Sequence, residues 1–340
     1  MLTIELERAE AAAVMDLSTA VAEVRRQLTE NALLRHLRLS AAQLPARVRG
    51  AIDEFRYDED HGVLVVTGLP MDEEKLPDTP DRISATGVPA PSPAHDMAFQ
   101  LFAALLGDPV GWATQQDGRI MHDIYPVQAF DADQIGWGSA TELEWHTEDA
   151  FHPYRTDYLG LMCIRNRDQV ETTFAEMRDL RLADSDVEQL SRPQYQIIPD
   201  DSHLVSNGAA VDLAHDGALL TKSRQFVRDQ LERPEPRPLL FGDPRSPYLC
   251  VDPYYMREPD TAEAAQALDA LAGAVRTAIQ GVSLQPGQIC FIDNFRAVHG
   301  RRAFTARLDG KDRWLRRLNI ARDLRKSRDC RLSAVDRTIY

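Results

Sequence analysis

The stretch "LEWHTEDAFHPYRTDYLGLMCIRN", residues 143–166, places ionisable side chains directly before a continuous apolar run. His146, Glu148, Asp149 and His152 fall within seven positions, and the apolar run 158–164 follows them. A short run of this kind is typical of a buried strand. In an extended segment residues 146 and 148 project from the same face, because side chains alternate with a period of two. The stretch therefore predicts two adjacent metal-competent side chains beside a buried strand.

A His-x-Glu pair alone is a weak sign of a metal site, since ordinary residue frequencies produce one in about half of chains of this length. The segment "GQICFIDNFRAVHGRRAFTARLDGKDRWLRRLNIARD" (287–323) strengthens it, because an apolar strand, 288–292, leads there to His299. Two histidines and one carboxylate can hold a mononuclear iron and leave positions open for a co-substrate and oxygen. We therefore expect His146, Glu148 and His299 to share a metal ion.

Two arginines downstream of His299 complete this pattern. Arg313 follows His299 by 14 residues, and Arg317 comes four residues later. The usual co-substrate of such an iron site, 2-oxoglutarate, has a distal carboxylate that suits a bidentate arginine, here Arg313. Arg313 and Arg317 share one strand face about 13 Å apart, which suits two carboxylate clamps for two molecules. The alternative is a solvated basic surface, because residues 296–331 are generally basic.

Composition limits the class of protein. The chain has 340 residues, 44% hydrophobic and 27% charged, which is typical of a globular protein with a substantial core. A net charge of −14 argues against general nucleic-acid binding. The N-terminus lacks a secretory signal pattern, and no run of 18 apolar residues predicts a membrane span. The expected location is the cytoplasm, with no membrane partner, and the oligomeric state is left open.

The cysteines agree with that expectation. They are widely spaced along the chain and form no CxxC pair, so buried free thiols are predicted rather than a zinc site. The four residues are Cys163, Cys250, Cys290 and Cys330.

Periodicity along the chain predicts the fold class. Helical spacing is found at 8–37, 94–108 and 260–280, and short apolar strands at 62–69, 158–164, 248–251, 288–292 and 314–321. Segment 73–93 reads as a surface loop, and the Gly-containing segment 129–142 as a loop that could cover a site. The pattern predicts an α+β fold with a double-stranded β-helix (jelly-roll) core and flanking helices. We expect a single domain, 1–340, with a helical buttress at 1–60 and the jelly-roll core at about 61–328.

The sequence resembles the clavaminate synthase-like branch of the Fe(II)/2-oxoglutarate-dependent dioxygenases from about residue 60 to 328. Within it, the likeness is greatest to the viomycin-pathway type of arginine β-hydroxylase and related lysine, citrulline and asparagine hydroxylases. The motifs that carry the resemblance are "LLGDPVGWATQQDGR" (105–119), "WHTEDAFHPYRTDYLGL" (145–161), "PDDSHL" (199–204), "FIDNFRAVHGRRAF" (291–304) and "DGKDRWLRRLNIARDL" (309–324).

The resemblance implies a role for each matching position. Fe(II) would be held by His146, Glu148 and His299, and His152 would not be a ligand but a surface or supporting residue. Arg313 with Thr172 would bind the distal carboxylate of 2-oxoglutarate.

The amino-acid substrate would have its own set of residues. Arg317 would bind its α-carboxylate, and Gln115 with the second oxygen of Glu148 would hold its α-amine. The loop from Gln134 through Gly136 to Ser139 would form a lid.

The sequence departs from this pattern at one position. In the arginine hydroxylases two aspartates separated by one residue hold the guanidinium. In "YLCVDPYYM" (248–256) Asp252 matches the first aspartate, but Tyr254 stands at the second. A guanidinium fork suits two carboxylates, whereas one carboxylate and a phenol suit a lysine ammonium, with cation–π support. The alternative for Asp252 is a cap of the Asp-Pro turn.

The predicted activity is hydroxylation of a free basic L-amino acid at the β-carbon (3-hydroxylation), with O₂ consumed and succinate and CO₂ released. Lysine is the favoured substrate. The alternatives are arginine, citrulline, 4-hydroxylation or desaturation on the same scaffold. A jelly-roll binding protein without turnover is a further alternative, disfavoured by the intact ligand and arginine pattern.

Overall fold

The apolar run that begins at Tyr158 forms the centre of a large β-sheet in the computed structural model, which describes residues 1–83, 88–204 and 217–340. The sheet has eight strands in the order β1 (Leu2–Glu5), β2 (Val63–Thr67), β11 (Ile289–Asp293), β6 (Tyr158–Arg165), β13 (Trp314–Ala321), β3 (Asp108–Trp112) and β14 (Thr338–Ile339), and β4 (Met121–Ile124) also pairs with β13. Strand β6 pairs antiparallel with β11 and β13. It therefore has a strand on each side, and all eight of its residues are buried.

Strand β6 is apolar throughout because its two faces enter different cores. Leu159 and Leu161 pack into a cluster shared with a second sheet, whereas Met162 and Ile164 pack into a helical cluster. Gly160 allows one of the helices to come close, since a Cβ there would lie 2.9 Å from ring atoms of Phe99. Burial on both faces removes the polar alternation of a one-sided strand.

The second sheet has four strands and supplies the other wall of the inter-sheet core. Its order is β10 (Gln280–Val282), β7 (Thr172–Glu176), β12 (Ala297–Arg301) and β5 (Leu143–His146). Strand β12 places His299 directly opposite His146 of β5. A separate hairpin is formed by β8 (Leu240–Asp243) and β9 (Ser246–Leu249).

Helices cover the outer faces of both sheets. The large sheet packs against α1 (Arg8–Arg25), α2 (Glu30–Ser40), α3 (Ala46–Tyr57) and α4 (Pro93–Leu106). The small sheet shares its outer cluster with α5 (Asp184–Leu190), α6 (Gly217–Glu232) and α7 (Ala262–Ala278). This arrangement confirms the predicted jelly-roll core with flanking helices. The single-domain boundary stays a prediction.

One predicted helix is wrong in its extent. The helix expected over 8–37 is two helices, because α1 ends at Arg25 and α2 begins at Glu30. Thr29 caps α2 by accepting a hydrogen bond from the Ala32 backbone N–H at 3.3 Å. A threonine cap followed by an acid is a helix-start signal that the periodicity hides.

The other elements agree with the predictions to within a few residues. Part of the loop expected at 73–93, residues 84–87, lies outside the described residues. Cys163, Cys250 and Cys290 are buried free thiols as predicted, and Cys330 is half-buried. Within the described ranges, the helices are all too short or too polar to cross a membrane.

Candidate active site

A cavity lies between the two sheets, at one end of the inter-sheet core. One wall comes from β5, β7 and β12, and the other from β4, β6 and β13. The cavity lining includes most of the residues predicted from the sequence, namely Gln134, Gly136, His146, Glu148, Thr172, Asp252, Tyr254, His299, Arg313 and Arg317. Gln115 contacts this group through Arg317.

His146, Glu148 and His299 form a cluster that fits a metal ion. Their ligand atoms all lie within 4.8 Å of one another. Glu148 Oε2 is 3.9 Å from His146 Nε2 and 3.4 Å from His299 Nε2. Atoms that bind one ion at about 2 Å lie within about 4 Å of each other, so these separations suit a shared ion. Two imidazoles and a carboxylate form the donor set expected for non-haem iron(II).

The histidines are prepared to act as ligands. His146 Nδ1 lies 2.8 Å from the Glu144 carbonyl oxygen, so Nδ1–H donates and Nε2 is left for a metal. Without a metal, the charges of Asp252 and Glu148 outweigh burial and raise the pKa of His146, so a bound ion would displace the Nε2 proton. Burial, with repulsion from His146, lowers the pKa of His299 to about 4. His299 is therefore neutral at physiological pH, as metal binding requires.

Glu148 is held in place through both its backbone and its side chain. Its backbone N–H donates to Asn294 Oδ1 at 2.7 Å, and Asn294 Nδ2 donates to the Glu148 carbonyl at 2.9 Å. Arg317 Nη1 donates to Glu148 Oε1 at 2.8 Å. Burial alone would raise the pKa of Glu148, but Arg317 and the two histidines outweigh it and hold that pKa below its usual range. The carboxylate is thus ionised, with Oε2 directed towards the histidines.

Arg313 is a buried cation in the same cavity. Its Nη2 donates to Thr172 Oγ1 at 3.1 Å, whereas its Nε is buried without a partner. Within the described part of the chain, Arg313 forms no ion pair with an acid. Burial and the nearby charge of Arg301 lower the pKa of Arg313 to about 9. A buried cation without a counter-charge is costly, so this guanidinium fits a carboxylate ligand such as the distal end of 2-oxoglutarate.

Arg317 lies four residues further along and has a different environment. Besides Glu148, it donates from Nη2 to Gln115 Oε1 at 2.9 Å and to His122 Nδ1 at 2.8 Å. His122 can accept because its Nε2 lies 2.9 Å from the Arg119 carbonyl and donates there. His122 was not predicted from the sequence. It becomes recognisable as a site residue through the pairing of β4 with β13, which places it opposite Arg317.

Asp252 and Tyr254 occupy unequal positions. Asp252 is buried, and its Oδ1 accepts a hydrogen bond from the Tyr255 backbone N–H at 3.3 Å. Thus the turn-cap alternative holds for one oxygen, while the residue still lines the cavity. Tyr254 also lines the cavity but is 57% exposed, with its ring edge-on to Tyr255. It therefore lies near the cavity entrance, with much of its surface in solvent.

The segment around Gln134 and Gly136 borders the cavity as expected for a covering loop. Gln134 ties it to strand β5, since its Oε1 accepts from the Glu144 backbone N–H at 2.9 Å. Arg301 holds the far end of the segment by donating to the carbonyls of Ser139 and Thr141, each at 3.2 Å. Arg301 was not predicted, although its place two residues after His299 on one strand face could have indicated it.

A hydrogen-bond network behind Glu148 was also not predicted from the sequence. Asp149 accepts from Trp112 Nε1 at 2.6 Å and lies 2.9 Å from His203 Nε2. Asp149 has a φ of 50°, a left-handed conformation that these contacts hold in place. His152 lies outside the His146–Glu148–His299 cluster and is buried rather than on the surface, with its ring 4.4 Å from that of Trp112.

The chain is similar to proteins of known activity. It is 51% identical over 341 residues, 100% of each chain, to enduracididine beta-hydroxylase of Streptomyces hygroscopicus. It is 43% identical over 305 residues, 89% of each chain, to L-ornithine/L-arginine 3-hydroxylase of Catenulispora acidiphila. Its structure matches that of the non-heme iron oxygenase OrfP in complex with Fe, succinate and (3S)-hydroxy-L-Arg, with a TM-score of 0.91, 39% identity and full coverage of both chains.

A family model describes the same relationship. The model of the taurine catabolism dioxygenase TauD, TfdA family matches residues 26–319, which include all three members of the His146–Glu148–His299 cluster and both arginines, Arg313 and Arg317. The chain belongs to the TauD/TfdA family of dioxygenases.

Proposed function

We propose that this protein is an Fe(II)- and 2-oxoglutarate-dependent hydroxylase of a free, guanidine-bearing L-amino acid, acting at the β-carbon. The observation that carries the proposal is the pairing of an ionised ligand cluster with Arg313, a buried guanidinium without an acidic partner among the described residues. The cluster suits iron(II), and the guanidinium suits one end of a dicarboxylate. Both face one cavity.

The comparisons favour arginine over lysine, the substrate that the sequence favours. The two relatives act on enduracididine and on ornithine or arginine, and the similar structure holds a hydroxylated arginine. Both relatives are named for hydroxylation at the β-carbon, or carbon 3, which supports that position here. We therefore replace the lysine pocket inferred from Asp252 with a pocket that accepts a guanidinium.

His146, Glu148 and His299 would hold the iron, and Arg313 with Thr172 would hold the distal carboxylate of 2-oxoglutarate. Bound iron(II) and 2-oxoglutarate would supply the oxidation, in which O₂ is consumed, 2-oxoglutarate becomes succinate and CO₂, and one oxygen atom enters the amino acid. The protein residues orient the reactants, which is the main contribution that a fold makes to such chemistry.

The substrate would bind along the cavity. Arg317 would take its α-carboxylate, while Glu148 Oε1, together with Gln115, would take its α-ammonium group. The cationic side chain would then extend towards Asp252, placing the β-carbon between the two ends and beside the metal ligands. Gln134 and Gly136 would cover this arrangement on the solvent side.

The test is a panel of free amino acids with iron(II) and 2-oxoglutarate. We expect succinate formation coupled to the gain of one oxygen atom with L-arginine or L-enduracididine, and weaker coupling with L-lysine and L-citrulline. Nuclear magnetic resonance of the product should place the hydroxyl group on the β-carbon. If succinate forms at the same rate with and without every amino acid tested, the proposed substrate class is wrong.

A further inference from the structure

The cavity is lined by more carboxylates than the proposed function assigns a role to. Five acidic residues line it: Glu144, Glu148, Asp149, Asp200 and Asp252. Most are engaged by other protein groups. Glu148 pairs with Arg317, and Asp149 accepts from Trp112 and lies against His203. These two carboxylates are therefore not free to receive the cationic end of the substrate side chain.

The remaining three differ in what they already accept. Asp200 Oδ1 accepts from both the backbone N–H, at 2.8 Å, and the hydroxyl of Ser202. Asp252 Oδ1 accepts one backbone N–H, that of Tyr255. For Glu144, no hydrogen bond or ion pair of the carboxylate is found among the described residues, although it lines the cavity. Glu144 is therefore the most available acceptor in the lining.

Strand β5 directs Glu144 inwards. Its neighbour Trp145 packs into the outer core of the small sheet, so residues 144 and 146 share the opposite, cavity-facing side. The backbone of Glu144 is fixed at both ends of the residue, because its N–H donates to Gln134 Oε1 and its carbonyl accepts from His146 Nδ1. The side chain thus starts from a rigid position next to a metal ligand.

Glu144 and Asp252 line the same cavity. The charge of Glu144 adds to the burial that raises the pKa of Asp252. Two carboxylates that face one cavity repel each other, and a cationic ligand relieves both. A guanidinium, with donors on more than one edge, is the cation that two separate carboxylates hold best.

We propose that Glu144 is the second carboxylate of the clamp for the cationic end of the substrate side chain, acting with Asp252 across the cavity. This inference rests on the proposed function. It accounts for the tyrosine at position 254, because the second acid comes from strand β5 and not from the loop that carries Asp252. Tyr254, which is 57% exposed, would then close the entrance beside the clamp.

The test compares L-arginine with L-citrulline, its neutral urea analogue, on wild-type enzyme and Glu144→Gln. Glutamine keeps the shape and removes the charge. Binding is measured by calorimetry under anaerobic conditions with iron(II) and 2-oxoglutarate present, and turnover is measured separately. Losing one charged partner of the guanidinium should weaken arginine binding about tenfold, with little change for citrulline. The Michaelis constant for 2-oxoglutarate and the bound iron should not change.

The matched control is Glu142→Gln, an exposed acid two residues away that pairs with Arg302. It should leave the ratio of arginine to citrulline affinity unchanged. If Glu144→Gln also keeps the wild-type ratio while Asp252→Asn loses it, Asp252 acts alone and the clamp is overturned. If the wild-type enzyme binds neither arginine nor any other cationic amino acid, the proposed function fails instead.

Discussion

Arg317 donates to Glu148 Oε1 at 2.8 Å, while the other oxygen of the same carboxylate lies 3.4 Å from His299 Nε2. One side chain thus joins the ligand cluster to the second arginine. An amino-acid zwitterion could insert at this point, with its carboxylate on Arg317 and its ammonium group on Glu148. The ion pair would be divided between two new partners of opposite charge, and neither buried charge would be left uncompensated.

The first prediction concerns the metal. His299→Ala should lose stoichiometric iron(II) binding and all succinate formation, because only two of the three ligands remain. Metal content after anaerobic loading and gel filtration gives the first measurement, and succinate gives the second. His36→Ala, on helix α2, is the control and should retain both. Full activity in His299→Ala would rule out the assigned triad.

The second prediction concerns the co-substrate. Arg313→Ala should raise the Michaelis constant for 2-oxoglutarate by about thirtyfold or more, since losing one charged partner of a buried pair costs about 2 to 5 kcal/mol. Thr172→Val removes one neutral acceptor for Arg313 and should have a smaller effect, about 1 kcal/mol. Succinate formation at varied 2-oxoglutarate is the measurement. The control is Arg302→Ala, at a half-exposed position next to Arg301. It should change the Michaelis constant for 2-oxoglutarate little.

The third prediction assigns Arg317 to the amino acid. Arg317→Ala should chiefly raise the Michaelis constant for the amino acid and should increase succinate formation that is not coupled to hydroxylation. The Michaelis constants for 2-oxoglutarate and for the amino acid are measured in both variants. Their ratio in Arg313→Ala is then compared with their ratio in Arg317→Ala. Equal effects of both substitutions on both ligands would contradict the division of labour between these arginines.

The sequence predicted His146 with Glu148, and Arg313 with Arg317, because the members of each pair lie only two and four residues apart. Glu148 follows His146, the last residue of β5, by two positions, and Arg313 directly precedes β13, which carries Arg317, so short stretches of nearly extended chain set their directions. It could not predict the full set of acids around the side-chain pocket. Glu144, Asp200 and Asp252 come from separate segments, and only the packing of the sheets brings them to one cavity.

The basic character of residues 296–331 illustrates a second limit. A solvated surface was the alternative for these arginines, yet Arg301, Arg313 and Arg316 are all buried. They face different environments because neighbouring strand positions point to opposite sides. Arg313 lines the cavity, whereas Arg316 points towards helix α4, where Asp96 lies. The charge pattern alone does not separate a ligand-binding arginine from a structural one.

The fourth prediction tests that structural role. Arg316 donates to Asp96 Oδ2 and to Asp123 Oδ1, each at 2.6 Å, and all three side chains are buried. Arg316→Met should lower the free energy of unfolding by about 3 to 5 kcal/mol, because two buried carboxylates lose their counter-charge. Denaturant unfolding followed by circular dichroism measures this change.

Arg325→Met is the control for that substitution. Its side chain is 91% exposed and pairs with Asp323 at 2.8 Å, so the free energy of unfolding should change little. An equal effect of the two substitutions would show that the buried position of Arg316 adds nothing.

The last prediction concerns pH. Burial, with repulsion from Asp200 and Glu144, raises the pKa of Asp252 to about 7, although His146 opposes the shift. Only the ionised carboxylate attracts a cationic side chain, so kcat/KM for L-arginine should fall as the pH drops through about 7. Because the raised pKa means that the neutral acid is favoured, the loss should begin near neutrality and not near the ordinary value of about 4. L-Citrulline, which carries no side-chain charge, should show a much weaker dependence over the same range.

Asp252→Asn should lower kcat/KM for arginine and remove this limb of the pH profile, the fall below pH 7. Asp243→Asn, at an exposed position paired with Arg245, should keep the limb. A limb that persists unchanged in Asp252→Asn would assign the titration to another group and would remove Asp252 from the cation clamp.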